Sequence, residues 1–181
     1  MSDRVSPLGA DFRPGKYGNM ANGVGVTLSQ PDHVFLGELA AFANGFDAVG
    51  KLVTSIKGKD AIAFRIAANR WFIAGPDGAE TAFAAKLKPA DGSLIDLSHG
   101  RTALRISGPK AEWVLAKLYA IDFSLSEFPA GSGLSTAHHN IFTQIFRNDD
   151  ETFTLFVFRS FARAFWHTLQ QAAAETGYEV A

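Results

Sequence analysis

The strongest constraint on the fold is a strand, Gly-Pro and helix pattern that occurs twice. One copy reads RWFIAGPDGAETAFAAKL over residues 70–87, and the other reads TALRISGPKAEWVLAKL over residues 102–118. In each, a short apolar run ends at a Gly-Pro break, and apolar residues then recur at helical spacing. Because proline suits the first helical position, Pro76 and Pro109 are each predicted to open a helix.

The second half of the chain predicts the order β-α-β-β-α-β. Ser160 is the expected N-cap of the last helix, and Gly177 its end. Residues 178–180 are expected to form a final edge strand. The remaining predicted strands cover residues 102–107, 141–146 and 153–158, with the polar turn 148–151 between the last two.

The first half gives the same order if Leu36–Ala43 is a strand. Leucine and alanine favour helix in that segment, so propensity and repeat disagree, and the repeat favours the strand. The order is the ferredoxin-like split β-α-β pattern. The expected fold is therefore α+β, with two interlocked βαββαβ halves at residues 36–98 and 99–181 that cover each other's open sheet face.

Residues 1–35 differ from the rest of the chain. Glycine and proline recur there, and the one apolar stretch lies near residues 24–28, where a short strand is predicted. The segment is expected to be an extended arm, either a free tail or a strap lying on a partner. If it is a strap, deleting residues 1–33 should weaken assembly.

Composition excludes several classes of protein. Seventeen Lys and Arg balance 18 Asp and Glu, whereas a nucleic-acid binder normally has a basic excess. The chain has no cysteine, which removes disulfides and thiolate chemistry. It also has no apolar run long enough for a membrane helix and no visible signal peptide, so a soluble, cytoplasmic protein is expected.

The usual catalytic and metal-binding motifs are not met. His138 and His139 are adjacent and are expected to point to opposite faces of a strand, so no metal site is predicted. Ser135 lies in GLSTA, which lacks the closing glycine of a nucleophile elbow and is expected to be a loop. Gly23 and Gly25 form a lone G-x-G without the rest of a dinucleotide fingerprint.

The densest polar cluster is DLSHGR, residues 96–101. Asp96, His99 and Arg101 are candidate binding residues for an anion or a pterin-type amide, and Asp96 with His99 is a conceivable acid–base pair. The alternative is a structural turn in which Asp96 and Ser98 bond the turn backbone. The turn needs no ligand to explain these residue types, so it is the favoured interpretation.

Sixteen phenylalanines are about twice common usage, and the strand 153–158 carries apolar side chains on both faces. Such a strand is either buried between two layers or exposed on one face to a partner protein. Burial between the two halves is the favoured alternative.

Residues 94–180 resemble the gamma subunits of heterotetrameric sarcosine oxidases. The features that carry the resemblance are LIDLSHGRTALRISGPKAEWVLAKL, Ile121-Asp122, Phe128-Pro129-Ala130-Gly131, FVFRSFARAFWHTLQQAA and the earlier RWFIAGP. DLSHGR followed by a strand and Gly-Pro is also similar to the wider group of aminomethyltransferases (glycine cleavage T-protein) and YgfZ-like proteins.

The resemblance implies an accessory, non-catalytic subunit of an oxidoreductase that demethylates sarcosine to glycine. FAD, FMN, NAD and tetrahydrofolate are then expected on the partner alpha, beta and delta subunits. This chain is expected to contact chiefly the alpha subunit. The uncovered apolar face of an isolated chain would then allow self-association.

Folate-using relatives carry an acidic pair before the hairpin turn, where this chain has His138-His139-Asn140-Ile141-Phe142. No catalytic residue is therefore carried over from the family. The alternative function is a standalone folate- or pterin-binding protein of the T-protein or YgfZ-like kind.

Overall fold

The structure is a computed structural model that describes residues 5–31, 34–56, 61–76 and 78–181. The strands in these ranges are β1 Gly15–Tyr17, β2 Val26–Ser29, β3 Val34–Ala41, β4 Ile62–Ala67, β5 Arg70–Pro76, β6 Gly92–Asp96, β7 Arg101–Ser107, β8 Gly133–His138, β9 Ile141–Arg147, β10 Thr152–Phe158 and β11 Tyr178–Val180. The α-helices are α1 Phe46–Ile56, α2 Ala79–Lys86, α3 Ala111–Leu118 and α4 Ala162–Ala173.

The chain divides into two compact units. The central unit lies within residues 32–101, and the terminal unit combines the residues up to 31 with those from 102 onward. The chain thus begins in the terminal unit, builds the central unit, and returns. The segment expected to be an arm belongs with the second half.

The central unit has the order β3-α1-β4-β5-α2-β6. Its four strands form an antiparallel sheet in the order β4-β5-β3-β6, which is ferredoxin-like. The strand predicted from the repeat is confirmed, because LGELAAFA falls largely within β3. Core packing outweighs the helical propensity of this segment, because Phe35, Leu39 and Ala41 lie on one face of the strand and are buried in the core.

The terminal unit contains the same core order, β7-α3-β9-β10-α4-β11, but its sheet has seven strands. Their order is β1-β11-β2-β7-β10-β9-β8. Strand β2 lies between β11 and β7, parallel to β11 and antiparallel to β7. The N-terminal segment therefore supplies an interior strand of this sheet, not a strap on its surface.

The segment before β2 is also anchored in the core of the terminal unit. Leu8 is buried in that core, and the ring of Phe12 lies 5.7 Å from that of Trp166 in α4. The Trp166 indole donates a hydrogen bond to the backbone oxygen of Asp11, at 3.2 Å. The carboxylate of Asp11 accepts a second bond from Arg163, so α4 holds Asp11 by both its backbone and its side chain.

One glycine allows the N-terminal segment to lie close to the chain before β11. Gly177 has a φ of +68°, and a Cβ placed on it would lie 2.6 Å from the backbone oxygens of Asn19 and Gly23. A side chain is disfavoured there by both conformation and space. The predicted role of Gly177 as a stop after the last helix is confirmed, although a 3-10 turn, Ala174–Thr176, separates it from α4.

Three predicted helix starts were wrong. Pro76 is the last residue of β5, and α2 begins only at Ala79. Pro109 likewise precedes α3 by two residues. Ser160 lies inside a 3-10 turn, and its side chain makes no cap to α4. Proline closes a strand and turns the chain as readily as it opens a helix, so the Gly-Pro pattern marked the turns correctly and the helix starts incorrectly.

Two strand predictions also need correction. GLSTA is not a loop, because residues 133–138 form β8 and pair with β9. Most residues of β8 are small or polar, and Leu134 is the one that packs against the core. The sequence therefore shows no clear alternation of apolar and polar residues there. β11 is not an edge strand, because β1 pairs with its outer side.

The phenylalanine-rich strand β10 is buried on both faces. Phe153 and Leu155 enter the main core of the terminal unit, and Thr154 and Phe156 on the opposite face are also buried. Most of the phenylalanines of the chain are buried in cores. Strand β10 is not an exposed patch, although Phe158 at its end is 40% exposed. The predicted α+β class built from ferredoxin-like units is confirmed.

Candidate functional site

The polar cluster 96–101 forms the connection from β6 to β7. The Asp96 carboxylate accepts a hydrogen bond from the backbone N–H of Ser98, at 2.8 Å. The Ser98 hydroxyl in turn accepts from the N–H of Leu36 at 3.0 Å and donates to its carbonyl at 3.3 Å. The bond of Asp96 to the turn backbone is the predicted one, whereas the Ser98 hydroxyl bonds Leu36 of β3 and not the turn.

Arg101 begins β7 and lies beside an acidic side chain of β3. Burial lowers the pKa of the Arg101 guanidinium, and the charge of Glu38 acts in the opposite direction. Glu38 also pairs with Arg70, with an N–O distance of 3.0 Å. The Glu38 carboxylate thus interacts with two guanidinium groups, Arg70 through an ion pair and Arg101 through its charge.

His99 is exposed at the tip of this turn. No described residue forms a hydrogen bond with its ring that would orient it toward Asp96. The carboxylate of Asp96 is engaged with the turn backbone. The geometry supports a structural turn with a polar rim, and the binding role of Asp96, His99 and Arg101 stays a prediction.

The prediction that the two adjacent histidines point to opposite faces of a strand is wrong. His138 is the last residue of β8, and His139 starts the two-residue hairpin turn with a φ of +51°. Their rings are brought together, with centroids 4.4 Å apart. His138 is fixed by a 2.8 Å hydrogen bond between its Nδ1 and the carbonyl of Leu118. The prediction failed because His139 lies in the turn and not on a strand.

Arg147 is a fully buried charge that sequence reasoning missed. Its guanidinium donates to the Phe123 carbonyl at 2.8 Å and to the Glu112 carboxylate, and it lies 4.5 Å from the centroid of Phe153. It thereby ties β9 to α3 and to the loop after α3. The signal in the sequence was an arginine at the end of an apolar strand, on the same alternation as the core residues Ile141 and Ile145.

A surface pocket of about 350 Å³ lies between the N-terminal segment and the start of α3. Trp113 stands on its wall, 41% exposed, and the ammonium of Lys117 lies 3.6 Å from the centre of its ring. Lys117 is held by the Ala172 carbonyl at 2.9 Å and by Glu175 at 2.8 Å. The fixed indole is a preformed contact surface.

Within the described ranges, no three His, Cys, Asp or Glu side chains converge as a metal site would require. In the same ranges, no helix is both long and apolar enough to cross a bilayer.

Comparison with solved structures places the fold among known proteins. A chain of the heterotetrameric sarcosine oxidase from Corynebacterium sp. U-96 is similar over 96% of both chains, with a TM-score of 0.75 and 21% identity. The glycine cleavage aminomethyltransferase T from Bartonella henselae is similar over 87% of this chain and 48% of its own, with a TM-score of 0.63 and 15% identity. Both similarities concern the fold.

Sequence comparison gives a narrower result. The sarcosine oxidase subunit gamma of Corynebacterium sp. (strain P-1) is 31% identical over 106 residues, which are 58% of this chain. The match spans about half of that relative, 52% of its length. The model of the sarcosine oxidase gamma subunit family matches residues 39–175, which include most of both units. The chain therefore belongs to the sarcosine oxidase gamma subunit family.

Proposed function

We propose that this chain is an accessory, non-catalytic gamma subunit of a heterotetrameric, flavin- and folate-dependent sarcosine oxidase. The complex would convert sarcosine oxidatively to glycine. This chain would contribute assembly and stability, because a protein that binds only the native state of its partners stabilises that state.

The observation that carries the proposal is the family match over residues 39–175 together with a fold similarity that covers 96% of the chain. A supporting observation comes from the 96–101 cluster, where the Asp96 carboxylate bonds the turn backbone and the Ser98 hydroxyl bonds β3.

In this proposal the chemistry belongs to the other chains. FAD, FMN, NAD and tetrahydrofolate would be held by the alpha, beta and delta subunits in the cytoplasm, and the alpha chain would be the main contact. Asp96, His99 and Arg101 would serve the turn and the sheet, with no contact to a cofactor.

The competing function is a standalone folate- or pterin-binding protein. It is favoured by the similarity in fold to aminomethyltransferase T, in which this chain corresponds to about half of the larger protein. The hairpin where folate-using relatives are expected to carry carboxylates instead brings together His138 and His139. That substitution of imidazoles for carboxylates favours the accessory role.

The test is purification of the tagged chain from its own host, followed by native mass spectrometry and a visible spectrum. A stoichiometric, yellow complex with larger chains is the expected result. A colourless protein that purifies alone and binds tetrahydrofolate in a calorimetric titration would overturn the proposal.

The non-catalytic role has its own test in the purified complex. The variant His99→Ala should leave the rate of sarcosine oxidation per complex unchanged. A large fall in that rate with intact assembly would assign chemistry to this chain.

A further inference from the structure

The two edges of the central sheet differ in how they are protected. Strand β4 carries a bulge between Arg65 and Ala67, which interrupts its ladder. Strand β6 pairs with β3 in continuous register and has neither a bulge nor a proline or lysine. Such devices normally protect an edge strand against pairing with another chain, and β6 has none of them.

The hydrogen bonds of β6 define which of its backbone groups face outward. The N–H of Phe42 donates to the Asp91 carbonyl, and the N–H of Leu97 donates to the Leu36 carbonyl. In an antiparallel ladder, alternate residues bond the neighbouring strand, so the residues that face β3 are 93 and 95. Leu94 therefore directs its N–H and C=O away from the sheet, and no described residue bonds them.

A groove of about 550 Å³ runs beside this edge, between β6 and α2. Its helical wall consists of Thr81, Ala84 and Ala85, which are small and exposed. Phe83 is the one residue of α2 that is buried in the core. The helix thus covers the sheet without filling the space next to the edge strand.

The floor of the groove is apolar and preformed. Leu94 packs against the core of the central unit, and the Phe35 ring lies across Gly37. A Cβ at Gly37 would stand 2.7 Å from that ring, so the glycine permits the ring to lie flat against the strand. An exposed edge strand beside a helix, with an apolar floor, is the geometry in which proteins bind extended peptides by adding a strand.

The charge of the groove indicates what it would accept. Among the described residues that line it, Glu80 and Asp96 carry charge and none is Lys or Arg. We propose that the groove between β6 and α2 binds an extended segment of a partner chain, in which an apolar side chain flanked by Lys or Arg occupies the groove while the segment pairs with β6. The inference rests on the proposed function in that the partner would be another chain of the complex.

A second copy of this chain is a poorer occupant. Pairing of β6 with β6 from a second copy would bring Glu80 and Asp96 of both copies to one seam, and like charges in such a seam oppose binding. A basic segment places its cations against these carboxylates instead. Charge complementarity therefore selects a basic partner segment over self-association.

The first experiment uses the purified full-length chain and a synthetic probe. The probe is a peptide of alternating threonine and valine with an arginine at each end, and its control has a glutamate at each end. We expect the arginine peptide to bind and to slow hydrogen exchange of the Leu94 amide, and the glutamate peptide to bind roughly tenfold more weakly. Absence of binding by the arginine peptide, or equal binding by the two, would overturn the proposal.

Two matched variants test the location. Ala84→Trp fills the groove, whereas Ala82→Trp places the same side chain on an exposed part of α2 outside it. Ala84→Trp should abolish peptide binding, and Ala82→Trp should leave it unchanged. Equal binding by both variants would contradict the assignment, as would reversible dimerisation of the wild-type chain that Ala84→Trp alone removes.

The same variants in the host separate this proposal from the proposed function. If the wild-type chain purifies with its larger partners and Ala84→Trp does not, both are supported. If both variants purify with the larger partners equally, the proposal that the groove binds a partner is wrong and the accessory role stands. If the wild-type chain purifies alone, the accessory role fails, and the peptide experiment still decides the groove.

Discussion

The central and terminal units share one βαββαβ order but reach a stable sheet differently. The central unit closes with four strands that are neighbours in its own segment. The terminal unit needs β2 between β11 and β7, and that strand comes from the other end of the chain, about 150 residues before β11 in sequence. One core order is thus compatible with a self-contained sheet and with a sheet completed by a distant segment.

The largest expected effect follows from that difference. Deleting residues 1–31 removes an interior strand and the buried Leu8 and Leu28, so the terminal unit should lose its native fold. In NMR spectra, the amides of residues 102–181 should lose their dispersion, and those of the central unit should change less. A truncated chain with native shifts over residues 102–181 would contradict the integral role of β2.

The next effect compares a buried arginine with an exposed one. Arg147→Ala in the terminal unit leaves the Phe123 carbonyl and Glu112 without their partner and should lower the free energy of unfolding by roughly 3 kcal/mol. Arg70→Ala in the central unit removes an arginine that is 56% exposed and should cost less than about 1 kcal/mol. Urea unfolding measures both, and equal losses would contradict the assigned burial of Arg147.

Replacement of two glycines by alanine should change the free energy of unfolding in opposite directions. Gly50 lies inside α1 with nothing within 4 Å of its Cβ position, so Gly50→Ala should raise the free energy of unfolding by about 0.5–1 kcal/mol. Gly177 has positive φ and meets two carbonyl oxygens, so Gly177→Ala should lower it by more than about 1 kcal/mol. Thermal unfolding checks the signs, and a shared sign would refute this comparison.

The smallest effect concerns acid. The hydrogen bond from Arg163 holds the pKa of the Asp11 carboxyl below its usual value. Because the folded pKa is depressed, the carboxylate stabilises the terminal unit at pH values above its ordinary pKa, and this contribution is lost as the pH falls through the folded pKa. Asp11→Asn should therefore flatten the acid limb of the stability profile, measured by urea unfolding between pH 7 and roughly pH 2. The exposed Asp47→Asn in α1 is the control, and an identical change in both variants would remove the role of Asp11.

The regular repeat made much of the fold predictable. The spacing of Val49, Leu52, Val53 and Ile56, all of which are buried, is that of one helix face and matches α1. Strand β3 followed from the repeat against its own propensity. Local periodicity and a repeated order of elements are both visible in a single sequence.

The parts that the sequence did not reveal depend on pairing across long distances. A short strand near residue 26 was visible, but its position between β11 and β7 depends on residues 80 to 150 positions away. β8 was hidden because its outer face is small and polar. The turn bond of Asp96 was foreseen from residue type, whereas the bond of the Ser98 hydroxyl to β3 and the proximity of His138 and His139 depend on how the chain is paired.

We have proposed that this chain assembles a sarcosine-oxidising complex without taking part in its chemistry. The most direct measurement is sarcosine oxidation in extracts of a host that lacks this chain and is complemented with the wild type or with the variant His99→Ala. The account predicts that the uncomplemented host has lost a stable complex and its activity, and that both forms restore them equally. An intact, active complex without this chain, or restoration by the wild type alone with the variant assembled, would contradict it.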